Sequence, residues 1–336
     1  MGQRHNRRRK RVICARAPEY IPIVQRAYIP VSSCPRGTHI MTTQTLIASD
    51  GMRLRCTLWN NVRRPIGVVQ IIHGMDEHVG RYARFAQYMN QNGYIVFGDD
   101  HRGHGRTAGG AQNIGRVGCS ADLFMDIVSD ELAILKYLSQ KYNLPVFIFG
   151  HSYGSFITQR ILQESDLCAA GVCMSGSARY PRSMLGVGTA MAWIGQRIFG
   201  ANAPARAIEL FLPIRGRHAA RYLTRDAHQV ALRDADPLRA KYFSYGFYYS
   251  LFRNLMHLPM GANRKIPLLI ISGNRDIVSM NARLARSLYR AYQGQNMNNL
   301  TLIIYPHARH ELLLDTNYAD VQNDILGFFN GVLNRH

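Results

Sequence analysis

A serine set between glycines, and an aspartate and a histidine that follow it in that order, each have the setting that acyl-transfer chemistry requires. Gly150-His151-Ser152-Tyr153-Gly154 has the form G-x-S-x-G and stands directly after the apolar run Val146 to Phe149 and before the helical pattern Ser155 to Gln163. On a sharp strand-to-helix turn a serine hydroxyl is presented at the top of a sheet, and the flanking glycines admit the close backbone approach that the turn demands. The helix that follows turns its positive end towards the charge that develops. A serine is a weak nucleophile without a base, and the base must be oriented by a third group. Asp276 lies in the loop after Leu268 to Ile271, and His310 lies beyond Leu300 to Tyr305. His307 is a rival base; His310 is preferred because the loop after Pro306 gives it more room to return towards Ser152. Asp276 could alternatively cap a helix at Ser279, and a histidine here could sit on a solvated loop. A tetrahedral oxyanion also needs donors. The backbone N–H of Tyr153 would supply one, and that of Met75, in His73-Gly74-Met75 after the run Gly67 to Ile72, the other.

These groups converge only if strands and helices carry them to one edge. Thr43 to Ala48 and Arg53 to Trp59 flank the turn Ser49-Asp50-Gly51-Met52 and predict an opening antiparallel hairpin. Gly67 to Ile72, Tyr94 to Gly98, Val146 to Phe149, Gly171 to Met174, Leu268 to Ile271 and Leu300 to Tyr305 are the near-continuous apolar runs of buried parallel strands. Stripes such as Tyr82, Phe85 and Met89, or Phe124, Val128, Leu132, Leu135 and Leu138, have the helical period and read as core. The chain order Ser, Asp, His, each after a strand's C-terminal end, is that of the α/β-hydrolase fold. The expected class is therefore α/β: a mostly parallel eight-stranded sheet with helices on both faces. Alternation stops after Met174 and resumes near Pro267, which predicts an inserted helical cap at about residues 177–264 of a domain spanning 41–336.

Asp99-Asp100-His101-Arg102-Gly103-His104-Gly105 follows a strand and holds enough polar groups to suggest a metal. The interleaved glycines favour a tight hydrogen-bonded loop bracing the site, so no metal is assigned. No glycine loop with a P-loop lysine is present. The chemistry described needs no cofactor.

The chain of 336 residues is 47% apolar and 18% charged, which suits one globular enzyme domain, and its formal charge is +20. Residues 1–40 hold nine Lys/Arg against Glu19 and carry +8; the remainder carries +12. Such a balance favours anionic surfaces through screened attraction, and peripheral association with anionic membrane is an admitted partner mode. No basic groove interleaved with aromatics is visible, so nucleic acid is not an expected partner. The segment after the basic run Arg7 to Arg11 is broken by Arg16, Pro18, Glu19, Pro22 and Arg26, so it has no signal-peptide core. Met41 is the expected initiator, with 1–40 a disordered or untranslated basic extension. No run reaches the length of about 18 to 20 apolar residues that a membrane span needs. Cys14, Cys34, Cys56, Cys119, Cys168 and Cys173 lack metal-ligand spacing and read as buried thiols, which places the chain in the cytoplasm, at most peripheral at the inner membrane face.

From about Leu46 onward the chain resembles the monoacylglycerol lipase and lysophospholipase-like branch of the α/β-hydrolases. The resemblance rests on His73-Gly74-Met75 with Glu77 and Arg81-Tyr82, on DHRGHG at Asp100 to Gly105, and on GHSYG at Gly150 to Gly154. It continues with Asp236-Pro237-Leu238, GNRD at Gly273 to Asp276, and His310-Glu311-Leu312. It implies a Ser152, Asp276 and His310 triad, a fatty-acyl ester as substrate, and a cap over an acyl tunnel that can rest on lipid. Tyr242, Phe243, Tyr245, Phe247, Tyr248, Tyr249 and Phe252 are apt linings, though their density suits plain helix packing equally. A short-chain carboxylesterase, a thioesterase or a small-peptide hydrolase could use the same triad. A fold that kept its pocket and lost turnover is opposed by the intact triad and oxyanion loop.

Overall fold

Strands buried on both faces must carry apolar side chains on both, and the central strands do. A computed structural model describes residues 41–212 and 220–335; the basic extension expected over 1–40, with Cys14 and Cys34, lies outside the described residues. The chain opens with β1 (Met41–Ile47), β2 (Arg53–Trp59), β3 (Gly67–Ile72), α1 (Ala83–Gln91) and β4 (Tyr94–Asp100). It continues through α2 (Leu123–Tyr142), β5 (Val146–His151), α3 (Tyr153–Ile161) and β6 (Ala169–Ser175). Helices α4 (Arg182–Phe199), α5 (Arg206–Glu209), α6 (Ala220–Leu223), α7 (Ala227–Ala235) and α8 (Tyr245–Leu255) lie between β6 and β7 (Leu268–Gly273), and this segment is referred to as the cap. Then come α9 (Arg283–Gln293), β8 (Leu300–Tyr305) and α10 (Tyr318–Leu333).

The eight strands form one sheet in the order β1-β2-β4-β3-β5-β6-β7-β8, with β2 antiparallel to β1 and β4 and all other pairs parallel. This is an α/β-hydrolase fold. The period of two along each strand divides the core. Val68, Ile72, Val146, Ile148, Leu268 and Ile270 face the layer built by α2, α3 and α9. Val69, Ile71, Phe147, Phe149, Leu269 and Ile271 face α1 and α10. Both surfaces of the sheet are covered, as a parallel sheet requires.

Four strands run further than their apolar runs suggest. Asp99 and Asp100 continue β4 because they still pair with Cys56 and Arg55, and His151 pairs with Ser175 to extend β5 and β6; β7 likewise reaches Gly273, opposite Tyr305. Polar side chains thereby enter the strand tips, where a sequence pattern based on hydropathy ends too early. Asp122 caps α2 by accepting the Met125 N–H, and it also accepts from Ser250 at 2.6 Å and Asn254 at 2.9 Å. Ser250 and Asn254 belong to α8, so one carboxylate both starts α2 and anchors the cap to it. Of the cysteines, Cys56 and Cys173 are buried, but Cys168 is half-buried and Cys119 is exposed. That corrects the expectation of six buried thiols: Cys119 falls in the polar loop ahead of α2, where no strand or helix face covers it.

Candidate active site

Ser152 sits between β5 and α3 with φ +50° and ψ −115°, a conformation costing on the order of 1–3 kcal/mol for a residue with a side chain. Local bonds hold it there. Its N–H donates to Ser175 O at 2.9 Å, and its carbonyl accepts from Ser155 and Phe156, so α3 starts at Tyr153 rather than Ser155. The glycines are required by contact. A Cβ on Gly154 would lie 2.0 Å from Ile72 O and 2.5 Å from His73 O, and one on Gly150 would lie 2.2 Å from Thr158 Oγ1. The elbow is thus pressed against the loop after β3.

His310 Nε2 stands 2.8 Å from Ser152 Oγ, and His310 Nδ1 stands 2.9 Å from Asp276 Oδ1. Asp276 is buried. Its Oδ1 accepts from the N–H groups of Val278 at 2.9 Å and Ser279 at 3.4 Å, so the turn-capping and imidazole-facing readings of this residue hold together. Burial alone would raise the Asp276 carboxyl, but the facing His310 and these donors outweigh it and hold it below its usual range. Burial would lower His310, and the Asp276 charge overcomes that and raises it. His151, also buried and facing His310, is pushed down to about 4 and stays neutral. His307, the rival base, is exposed, and its backbone N–H donates to Asn274 Oδ1.

The backbone N–H groups of Met75 and Tyr153 have no hydrogen-bond partner within the protein among the described residues, whereas the Gly74 N–H is taken by Glu77. The loop that carries Met75 is braced from below. The His101 N–H donates to His73 Nε2 at 3.0 Å, which leaves the hydrogen on His73 Nδ1, and this donates to Gly74 O at 2.8 Å. Gly74 C=O and Met75 N–H share one planar peptide, so fixing the carbonyl aims the N–H the opposite way. His101 Nε2 donates in turn to His73 O at 3.2 Å, and its Nδ1 lies 3.1 Å from both Asp99 Oδ1 and Glu131 Oε1. Burial opposes charge on His101, yet Asp99 and Glu131 push it up to about 10, while burial and Asp99 push Glu131 up to about 8. Asp99, by contrast, is held below its usual range by the facing His101 in spite of burial. Asp99, His101 and Glu131 could each offer one atom to a cation, but both His101 nitrogens already have partners. Elsewhere in the 99–105 loop Asp100 accepts from Val79 and Arg106, and Arg102 pairs with Asp130 and Asp50.

Around the site lies an ion network that sequence reasoning missed. Arg81 joins Glu77 and Glu311, while Arg233 and Arg239 of the cap both reach Asp76 Oδ2 at 2.9 Å. His78 meets Asp236 at 3.0 Å. Several of these residues were singled out as motif members without a role; the role needed their partners, about 160 to 230 positions away. For the seven aromatics between 242 and 252, acyl lining and plain helix packing are equally open in the sequence. Phe243, Phe247 and Tyr248 are fully buried, Phe243 and Phe247 against His104 and each other, and none of the seven lines the cavity beside Ser152. Tyr242, Tyr249 and Phe252 are half-buried.

The sequence profile of the family described as serine aminopeptidase, S33, matches residues 63–317. A monoglyceride lipase homolog from Monkeypox virus is 27% identical over 82% of this chain and 93% of its own. A monoacylglycerol lipase from Mycolicibacterium smegmatis is 26% identical, covering 82% of this chain and 92% of its own. Among solved structures, a thermostable carboxyl esterase from Bacillus coagulans superposes with a TM-score of 0.76 at 24% identity, covering 88% of this chain and all of that one; at that identity the likeness speaks to the fold.

Proposed function

Because the chain belongs to the serine aminopeptidase, S33, family of α/β-hydrolases, we propose that it cleaves fatty-acyl esters of monoacylglycerol or lysophospholipid type through Ser152, His310 and Asp276. It is a carboxylic ester hydrolase, like the lipases that match it over most of their length. What carries the finer reading is one line of atoms, Ser152 Oγ to His310 Nε2 at 2.8 Å and His310 Nδ1 to Asp276 at 2.9 Å, with the Met75 and Tyr153 N–H groups alongside. Ser152 Oγ attacks the ester carbonyl while His310 Nε2 takes its proton, and Asp276 holds the hydrogen on Nδ1 and offsets the imidazolium charge. The oxyanion accepts from Met75 and Tyr153. His310 returns the proton to the departing alcohol, and water activated by the same nitrogen releases the fatty acid.

The test is hydrolysis of p-nitrophenyl esters from C2 to C16, with monoacylglycerol and lysophospholipid alongside. Turnover that favours C8 and longer acyl chains is the expected result. A preference for C2 to C4 would move the enzyme to the short-chain esterases, and cleavage of aminoacyl amides in place of esters would reject the ester reading.

The outer face of the cap supports a second element of the proposal, peripheral association with anionic membrane. Met184, Val187, Ile194 and Ile198 recur at helical spacing along α4 and are exposed, with Leu210 and Phe211 nearby in sequence and also exposed. Arg182, Arg197, Arg206 and Arg221 are exposed in the same segment. No helix among the described residues is long and apolar enough to cross a membrane. An apolar face with a basic rim suits insertion at the headgroup boundary. Sedimentation with phosphatidylglycerol vesicles is expected to carry the protein down, and the pair Ile194→Glu with Ile198→Glu is expected to weaken it about 10-fold or more, since each substitution puts charge where exposed apolar area would enter the lipid. Equal sedimentation of the variant would reject α4 as the contact.

A further inference from the structure

Arg233 is a cap residue, 3% exposed, that lines the same small cavity as Met75, Ser152, Leu223, His310 and Glu311. Its Nη2 donates to Asp76 at 2.9 Å. Its Nε is 3.6 Å from Glu311 Oε1, beyond a hydrogen bond, and Nη1 has no partner among the described residues. Burial lowers the guanidinium from its ordinary range despite the facing Glu311 and Asp76, so the cation is held with less compensation than its setting demands.

The acceptors nearby are already engaged. Both Glu311 oxygens take Arg81, at 3.1 and 2.9 Å. Glu77 takes Gly74 N–H and Tyr82 OH on one oxygen and Arg81 on the other. Asp76 takes Ala240 N–H on one oxygen and both cap arginines on the other. What these groups leave over is donor capacity: the two backbone N–H groups for the ester carbonyl, and the Arg233 guanidinium. A neutral glycerol hydroxyl could accept from Nη1 but would bring no charge to balance the buried guanidinium. A phosphate or carboxylate brings acceptors alone.

We infer that Arg233 is a specificity residue that binds an anionic oxygen group, phosphate or carboxylate, on the alcohol half of the ester. The alcohol half is indicated because Arg233 lines one cavity with His310, whose Nε2 must protonate the leaving oxygen. The inference rests on the ester-hydrolase reading of the same site and narrows its substrate class.

The experiment compares kcat/KM for three dodecanoyl esters: of glycerol, of glycerol 3-phosphate and of a hydroxy acid. Arg233→Gln is expected to lose about 30-fold on an anionic ester, which is about 2 kcal/mol at 1.4 kcal/mol per decade, and to change the neutral ester less than about 3-fold. The anionic ester with the larger loss identifies phosphate or carboxylate as the source. Arg239→Gln loosens the same Asp76 contact without removing the reader, and is expected to affect all three esters alike. If Arg233→Gln also affects all three alike, Arg233 only fastens the cap and the inference is overturned. Should the glutamine variant not fold, Arg233→Lys keeps a cation beside Asp76 but lacks the planar fork whose separate nitrogens face Asp76 and the cavity, and is expected to lose most of the discrimination. Calorimetric titration with dodecyl phosphate and with dodecylglycerol ether reads the site without turnover. Selective loss of dodecyl phosphate binding in Arg233→Gln, with no ester cleaved by the unaltered protein, would sink the hydrolase reading and keep the anion site; turnover without discrimination would do the reverse.

Discussion

Ser152→Ala is expected to lower kcat for ester hydrolysis by about 10⁵ to 10⁶-fold, the scale on which removal of a triad nucleophile acts. The reason is local. Only Oγ is removed, and no other hydroxyl takes up the position 2.8 Å from His310 Nε2 that the attacking atom must hold. The backbone donors of Met75 and Tyr153 remain, so a small residual rate above water is expected from oxyanion binding alone. Stability should change little, since alanine meets the same strain at φ +50° and keeps the N–H bond to Ser175. Thermal unfolding therefore separates lost chemistry from lost fold. A well-folded Ser152→Ala protein retaining about a hundredth of the activity or more would exclude Ser152 as nucleophile.

Asp276→Asn is expected to cost about 10⁴-fold in kcat, because an amide facing Nδ1 no longer selects the tautomer that leaves Nε2 free to accept the serine proton. It also changes the pH profile in a direction the charges dictate. A histidine can act as a base only when neutral, and the titration of His310 is raised by Asp276 against the effect of burial. The acid limb of kcat/KM in the unaltered enzyme should therefore lie above the ordinary histidine value of about 6.5. Without the carboxylate the largest raising influence is gone and burial still lowers the ring, so the limb should move to lower pH while the plateau falls. An acid limb unmoved by Asp276→Asn would mean that another group controls the base. His151 is a poor substitute, being buried, neutral and pushed down to about 4.

Local signals carried much of this molecule. The six later strands are readable because each is a short apolar run, the first two because they flank the turn Ser49 to Met52, and the elbow because Gly154 has no room for a Cβ. The reading fails where polar residues continue a strand, as at Asp99 and His151, since hydropathy cannot register ladder pairing. It left the aromatics of α8 undecided between acyl lining and packing. Composition is the same in both cases, and only burial against His104 and neighbouring rings distinguishes them.

By itself the sequence determined the fold class, the strand that carries Ser152, the order of Ser152, Asp276 and His310, and the loop that presents Met75, because these depend on periodicity and on motifs a few residues long. Tertiary structure alone decided that His310 Nε2 lies 2.8 Å from Ser152 Oγ, that His73 and His101 aim the Met75 N–H, and that Arg233 stands buried beside the site with donors to spare. Those outcomes depend on pairs about 30 to 230 positions apart. Charge and hydrogen-bond complementarity act through space at about 3 Å and leave no periodic trace along the chain.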